Sequence, residues 1–533
     1  MNRQKPQAPS PRRKNPLNHQ EREIASDSTQ NRVDYPYAVV ARAQPADFSG
    51  LSLNCLPLTL TYNVSYFKVQ EGDVLLKKTK VICTVGPATL SKQMIQKMFQ
   101  AGMNGVRINT AYGSIAQYRS VIAAVREIAD IPIMIDLKGP EIRIKMSQRR
   151  AFVKGEILEI GFDGGEVSFN HDFYDKMQVD DAVYLDNGRI RTRVVERKGR
   201  KLRLLTLNGG FIEDGKGVNI PNKSLSVPTF LEKDFELIRF AEEGEVEFVA
   251  LSFTRDAEDV KNLSKNSSFE GGVIAKIENP EGVRNVGEIL EVADGLMVAR
   301  GDLGVEIEPE RVPLVQKSLI KLCNHRGKLV VTATEMLESM IYNPGPTRAE
   351  VSDVANAILD GSDAVMLSGE TAVGKYPVEA VEMMSRIANE TERAVRSNVE
   401  AASFVNISDT VSRAIQRISE GMPLHKVIPL TRSGYTARMI ARFKIAQPII
   451  AVTPDAKVKK QLELVYGVVP VMIDYCEEED RILAVANQLR KMRLVDDEET
   501  VLFTEAVRTT EEHSSNSIEI HKVAGLRRFA ASE

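Results

Sequence analysis

The chain has 533 residues, 27% of them charged and 43% hydrophobic, which is the composition of a multidomain globular protein and excludes a disordered or fibrous one. Lys plus Arg number 70 against 73 Asp plus Glu, and the formal net charge of −3 demands neither nucleic acid nor an anionic membrane as partner. No run of about 18 apolar residues occurs, the four cysteines (Cys55, Cys83, Cys323, Cys476) form no CxxC pair, and no two histidines stand four apart, which argues against a membrane span, a disulfide framework and a zinc site.

Residues 1–76 read as a disordered extension. The first 20 hold five Lys/Arg, four prolines and no acid, too little apolar surface to bury. A transit peptide and a start of translation near Leu76 stand beside that reading. From Lys77 onward, short apolar runs alternate with amphipathic stretches. The runs are Thr79–Val85, Val106–Asn109, Pro132–Leu137, Phe248–Phe253, Val273–Ile277, Gly295–Ala299, Leu329–Thr334 and Ala364–Leu367. Helical periodicity separates most of them, as in Ser91–Ala101, Val283–Val292, Val315–Asn324 and Val351–Asp360. Eight strands, mostly followed by helices, predict an α/β fold, a (β/α)8 TIM barrel.

Between the third and fourth runs the chain is too long for a loop. Four short alternating segments there, Ile157–Ile160, Ala182–Leu185, Ile190–Val195 and Leu202–Leu205, predict an inserted small β-barrel domain. After the eighth run, Val378–Glu400 reads as one long helix. Lys426–Leu430, Ile449–Val452 and Val468–Ile473 then alternate with helical segments as a separate C-terminal α/β domain. The expected division is 1–76 for the extension, 77–140 and 228–400 for the barrel, 141–227 for the insert and 401–533 for the C-terminal domain.

In such a barrel the chemistry belongs at the C-terminal ends of the strands. Lys276 and Glu278 lie two apart on one strand and so leave it on one side. Asp302, ending the next strand, can face Glu278. Two carboxylates beside a lysine suit magnesium, which takes few carboxylates and fills its other positions with water and substrate oxygens. A plain ion-pair network closing the barrel is the competing reading. Arg107, Lys138 and Arg143 flank the same face, and a histidine-free cluster of cations around two carboxylates suits phosphoryl transfer. Gly210–Gly217 matches G-x-x-x-x-G-K, but Gly217 stands where a P-loop needs Ser or Thr, and the segment lies in the insert, so it is set aside as a Walker motif; Lys216 within it would still reach a nucleotide phosphate. Thr431-Arg-Ser433-Gly434-Tyr-Thr436, between a strand and a helix, reads either as an anion-binding loop or as an ordinary cap and turn.

The segments KKTKVICTVGPAT, AGMNGVRIN, IDLKGPEIR, GKGVNIP, IAKIENPEGV, DGLMVARGDLGVEI and TATEMLESMI carry a resemblance to the pyruvate kinase family, running from Lys77 to about Val471. The resemblance implies transfer of the phosphoryl group of phosphoenolpyruvate to ADP, giving pyruvate and ATP, in a cytoplasmic homotetramer. It implies that Glu278 and Asp302 hold magnesium, with manganese as a substitute, and that Lys276 and Arg107 stabilise the transferred phosphoryl group. It further implies that Gly301 and Asp302 present amides to the substrate carboxylate, that Thr334 lies near the carbon protonated after transfer, and that Arg143, Lys216, Tyr112 and Pro87 serve the nucleotide. Thr431, Ser433, Gly434 and Thr436 would form the effector phosphate loop.

The chain also departs from the family pattern. Where the family reads R-L-N-F-S-H-G, this chain has Arg107-Ile-Asn109-Thr-Ala111-Tyr112-Gly113. The potassium set of Asn109, Asp136 and the Leu137 carbonyl therefore lacks a serine oxygen at Ala111, and reduced potassium dependence is expected. Glu335 stands where glutamine is usual. The stretch Glu505–Asn516, with Glu511 and Glu512 adjacent, would repel a sugar bisphosphate. A catalytically weak sensor or scaffold of the same family is the alternative these departures raise.

Overall fold

The computed structural model describes residues 77–139, 141–186, 188–221, 223, 230–397, 399, 406–475, 480–507 and 515–526. The expectations placed on residues 1–76, on Glu511 and Glu512 and on Cys55 and Cys476 lie outside them.

Eight parallel strands close a barrel: Lys80–Val85, Gly105–Asn109, Ile133–Asp136, Phe248–Leu251, Gly272–Ile277, Gly295–Ala299, Leu329–Ala333 and Ala364–Leu367. Each pairs with its sequence neighbours, and the first closes on the eighth with Lys80 opposite Ala364. The runs are mostly apolar because both faces are covered, one by the surrounding helices and one by the barrel interior. Inside the barrel lie Ile82, Met134, Phe248, Ile274, Met297, Val331 and Met366, all buried. Leu464 from the C-terminal domain joins them from the N-terminal mouth. It takes the space beside Gly105, where any Cβ would come within 2.9 Å of the leucine Cδ2.

Two helices begin three residues earlier than apolar periodicity predicts, because polar caps set their starts. Asn279 accepts from the Gly282 amide at 2.8 Å and opens Pro280–Val292. Thr347 and Glu350 form a capping box that opens Arg348–Leu359. The long helix expected over Val378–Glu400 stops sooner. It runs Pro377–Thr391, and the chain then tightens into a 3-10 turn at Glu392–Ala394. The buried Glu392 carboxylate turns back to accept from the amides of Lys78 (2.9 Å) and Thr79 (2.6 Å), so tertiary demand at the start of the first strand overrides helix continuation.

Between the third and fourth barrel strands the chain builds a seven-stranded, mainly antiparallel barrel-like sheet and a two-stranded ribbon, Arg150–Phe152 with Gly210–Ile212. Strict alternation along Ile190–Lys198 sends Ile190, Thr192 and Val194 inward to a core with Leu158, Ile160, Leu202 and Leu204. The G-x-x-x-x-G-K segment begins in this antiparallel ribbon, not between a parallel strand and a helix.

Among the described residues the C-terminal domain has five strands, two more than the three expected. Lys426–Pro429, Ile449–Thr453 and Val468–Met472 are joined by a parallel Thr500–Thr504 and an antiparallel edge strand, Glu519–Lys522. The last is half-polar and exposed, the composition that blunts an edge, and so carries no apolar signal. A buried ion pair, Lys444–Asp363 at 2.7 Å, ties this domain to the base of the eighth barrel strand.

Candidate active site

The charged residues sit where the barrel places them. Lys276 leaves the fifth strand and its ammonium is buried among three partners: Asp136 Oδ1 at 3.1 Å, Glu278 Oε1 at 2.9 Å and the Ser252 hydroxyl at 2.7 Å. Burial alone would lower its pKa, but Asp136 and then Glu278 outweigh that, and Lys276 is held above the usual lysine range. It is a fixed cation at any physiological pH. Arg107, buried on the second strand, gives Nε to Asp136 Oδ2 at 2.6 Å and Nη1 to the Thr84 hydroxyl at 3.1 Å. Burial pushes the Asp136 carboxyl up, yet Arg107 and Lys276 more than offset it and keep it ionised.

Glu278 is buried, and its Oε2 accepts from the Phe253 amide at 2.7 Å. That amide is aimed by a left-handed backbone at Phe253, φ 54°. Oε1 is ion-paired with Lys276 but lacks a hydrogen bond with good geometry. Asp302 follows the sixth strand and accepts no hydrogen bond among the described residues. Loss of solvation, then repulsion from Glu278, pushes its carboxyl up to about 7, against the pull of Lys276. A buried and a half-buried carboxylate that repel each other, the buried one with an unsatisfied oxygen, fit a small hard cation. No group of three or more metal-ligating side chains occurs among the described residues.

Thr334 ends the seventh strand with φ 65°, and Glu335 follows at φ 52°. The Thr334 hydroxyl accepts from the Gly301 amide at 2.8 Å and donates to the Ala333 carbonyl at 2.6 Å. The Gly301 amide, expected for the substrate carboxylate, is thus given to Thr334 in this structure. The Glu335 side chain is exposed and forms no ion pair among the described residues; nothing in the structure explains its replacement of glutamine.

The potassium set is already engaged. Asp136 is held by two cations, the Leu137 carbonyl accepts from Ser252 at 2.7 Å, and Asn109 Oδ1 accepts from the Ala111 amide at 3.1 Å.

Arg143 and Lys216 of the insert, and Lys138 just before it, have their ion-pair partners outside the cluster. Arg143 pairs with Glu141 and the Gly215 carbonyl, and Lys138 with Glu141 at 3.7 Å. Lys216 pairs with Asp186 at 3.1 Å and Glu213 at 3.2 Å, which hold it above the usual lysine range. An isolated bridge joins Arg143 to Gly217, tying the chain entering the insert to the chain leaving it. Pro87 and Tyr112 are exposed beyond the first and second strands; the Tyr112 carbonyl accepts from the Tyr118 hydroxyl at 2.5 Å. Glu370 is spent on the amides of Leu337 (3.0 Å) and Ser368 (2.8 Å). In the C-terminal domain, Thr431 is buried, and Gly434 at φ 76° precedes the short helix Tyr435–Ala441.

Two contributors escaped the sequence reading. Ser252 orients Lys276, and the Phe253 amide orients Glu278. A serine or a backbone amide gives no charge signal, and only its place after the fourth strand pointed to it.

The model of the family described as pyruvate kinase, barrel domain matches residues 76–381, and that of pyruvate kinase, alpha/beta domain matches 409–521. The pyruvate kinase of Sporosarcina psychrophila is 41% identical over 478 residues, 85% of this chain and 81% of that one. Those of Geobacillus stearothermophilus and Staphylococcus aureus (strain USA300) are each 40% identical, over 475 and 476 residues, covering 84% of this chain and 81% of theirs. With the closed barrel, the inserted sheet and the lysine–carboxylate cluster at the strand ends, this chain belongs to the pyruvate kinase family.

Proposed function

We propose that the chain catalyses phosphoryl transfer from phosphoenolpyruvate to ADP, and that Lys276 carries the step. The observation that supports this most is the burial of Lys276 between Asp136 and Glu278, beside Arg107 and Asp302. A permanently charged, water-excluded ammonium stabilises negative charge on a group passing between oxygens far better than one in bulk water does. Arg107, held rigid by Asp136 and Thr84, is presented for the other phosphoryl oxygens. In the transfer, the bond from phosphorus to the enol oxygen breaks as one to the terminal ADP oxygen forms. The resulting enolpyruvate then takes a proton at its methylene carbon, and Thr334, its hydroxyl bonded in this structure to the Gly301 amide and the Ala333 carbonyl, would lie near that carbon.

Glu278 and Asp302 would hold magnesium, or manganese in its place. That ion would supply neutralisation of the substrate's negative charge. Arg143 and Lys216 on the insert would serve the nucleotide phosphates with Pro87 and Tyr112 near them, and closure of the insert would exclude water. Potassium dependence would be reduced. The loop at Thr431, Ser433, Gly434 and Thr436 would take an anionic effector. A cytoplasmic homotetramer is the assembly this reading carries; no helix among the described residues is long and apolar enough to cross a membrane. The intact set of Arg107, Lys276, Glu278, Asp302 and Thr334 favours an active enzyme over a sensor or scaffold. The test couples pyruvate formation to lactate dehydrogenase, with phosphoenolpyruvate, ADP and magnesium. Turnover that disappears in Lys276→Met supports the assignment, and equal rates in both proteins would overturn it.

A further inference from the structure

Arg300 has no part in the mechanism above, yet it touches that mechanism's most strained segment. It is buried, 6% exposed, and directly precedes Gly301 and Asp302. Its guanidinium spreads over the end of the seventh strand. Nε lies 3.2 Å from the Thr334 carbonyl and 3.4 Å from that of Ala333. Nη2 donates to the Thr334 carbonyl at 2.6 Å and to the Glu335 carbonyl at 3.1 Å, and lies 2.8 Å from Met336 Sδ. Nη1 is anchored from outside by Asp353 at 2.6 Å, with Gln316 at 3.4 Å.

The acceptors are the carbonyls of two consecutive non-glycine residues in the left-handed region, a conformation that persists only where the surroundings over-determine it. Thr334 is thus held at both ends from one stretch of chain: its hydroxyl by the Gly301 amide, its carbonyl by Arg300. A planar fork with donors at fixed angles does this; a single ammonium does not.

We propose that Arg300 is a positioning residue for the protonation half-reaction. It fixes Thr334 against the Gly301–Asp302 turn and so sets where the hydroxyl, here bonded to the Gly301 amide and the Ala333 carbonyl, stands for the protonation step, while Asp302 keeps its place. Asp353 is the outer anchor that orients the fork. This rests on the reading of Thr334 given above. Displacing a reacting group by about 1 Å costs roughly a hundredfold in rate, which sets the size of the effect.

The test uses the full chain with magnesium. Turnover is measured by the coupled assay, and exchange of the pyruvate methyl hydrogens with D2O is followed by proton NMR in the presence of ATP. Arg300→Lys is expected to lower kcat and methyl exchange together by about 10–100-fold, with KM for ADP within about twofold of the parent. Asp353→Asn, at a side chain 39% exposed, is expected to give a smaller loss in the same two quantities with an unchanged melting temperature. Should Arg300→Lys fail to fold, Asp353→Asn alone decides. Unchanged exchange in the folded variants overturns the inference, as does a kcat loss that appears only when the variant is partly unfolded. Thr334→Val separates the two layers. If it abolishes exchange while Arg300→Lys keeps it, the role of Arg300 fails alone; if it leaves exchange intact, the reading of Thr334 fails first.

Discussion

Magnesium binding is expected to weaken about tenfold between pH 8 and pH 6 through Asp302. Its carboxyl is pushed up to about 7, first by loss of solvation and then by Glu278. Only the ionised form ligates the ion. At pH 8 about nine-tenths of it is ionised and at pH 6 about one-tenth, a difference worth roughly 1.4 kcal/mol of binding. Stability of the metal-free protein moves the other way. The folded-state pKa lies above the unfolded value of about 3.9, so this group's stabilising contribution is complete below the unfolded value and lost as pH rises through about 7. Acidifying the metal-free chain from pH 8 to 6 should therefore recover about 1.4 kcal/mol from Asp302, while magnesium stabilises most at the alkaline end. Calorimetric titration of magnesium at pH 6, 7 and 8, with denaturant melts in chelator alongside, measures both. Asp302→Asn should bind magnesium weakly and lose the pH slope. An affinity constant to within twofold across that range, or an equal slope in Asp302→Asn, would refute the reasoning.

Lys276→Met should lower kcat by at least about 10²–10³-fold, since a preorganised charge at the transferring group is removed; circular dichroism should still report a folded protein, and a loss under tenfold would count against the assignment. Replacing potassium by tetramethylammonium in the coupled assay should leave most of the rate, because Ala111 offers no side-chain oxygen to complete the set of Asn109, Asp136 and the Leu137 carbonyl; near-total loss sinks that expectation. Lys444→Met leaves Asp363 buried without its cation and should cost about 3–5 kcal/mol in urea unfolding, with a cost under about 1 kcal/mol showing that the amides of Val330 and Tyr466 suffice. Fructose bisphosphate should leave the half-saturating phosphoenolpyruvate concentration unchanged in steady-state assays.

Legibility in the sequence followed the physical signal. Barrel strands such as Gly295–Ala299 and Ala364–Leu367 were readable residue for residue, because a strand covered on both faces is an unbroken apolar run. The edge strand Glu519–Lys522 was not, because half-polar residues at a sheet edge carry no such run. Thr500–Thr504 follows directly on the acidic run Asp496–Glu499, which hid its five residues. Within the site, Lys276 and Glu278 were legible from their spacing of two on one strand. Ser252 and Arg300 were not, since their roles come from bonds to residues far away in sequence. The end of the helix at Thr391 was likewise set by a remote need, the two amides that Glu392 satisfies at the first strand.

The backbone strain separates site from scaffold by a different route. Of the nine non-glycine residues with positive φ among those described, Phe253, Thr334 and Glu335 lie just beyond C-terminal ends of barrel strands. Each such conformation costs roughly 1–3 kcal/mol, which a barrel body of extended strands has no reason to bear. Each of the three is held by a group of the site or its support: the Phe253 amide by Glu278, the Thr334 hydroxyl by Gly301, and the carbonyls of Thr334 and Glu335 by Arg300. The strain is therefore coupled to the same carboxylate and the same turn that the proposed site uses. Removing Glu278 should release Phe253 as well as the metal, so Glu278→Gln, which keeps an oxygen to accept from that amide, should retain more stability than Glu278→Leu while losing magnesium binding equally. Equal stability in the two variants would show that the Phe253 conformation is held by packing alone.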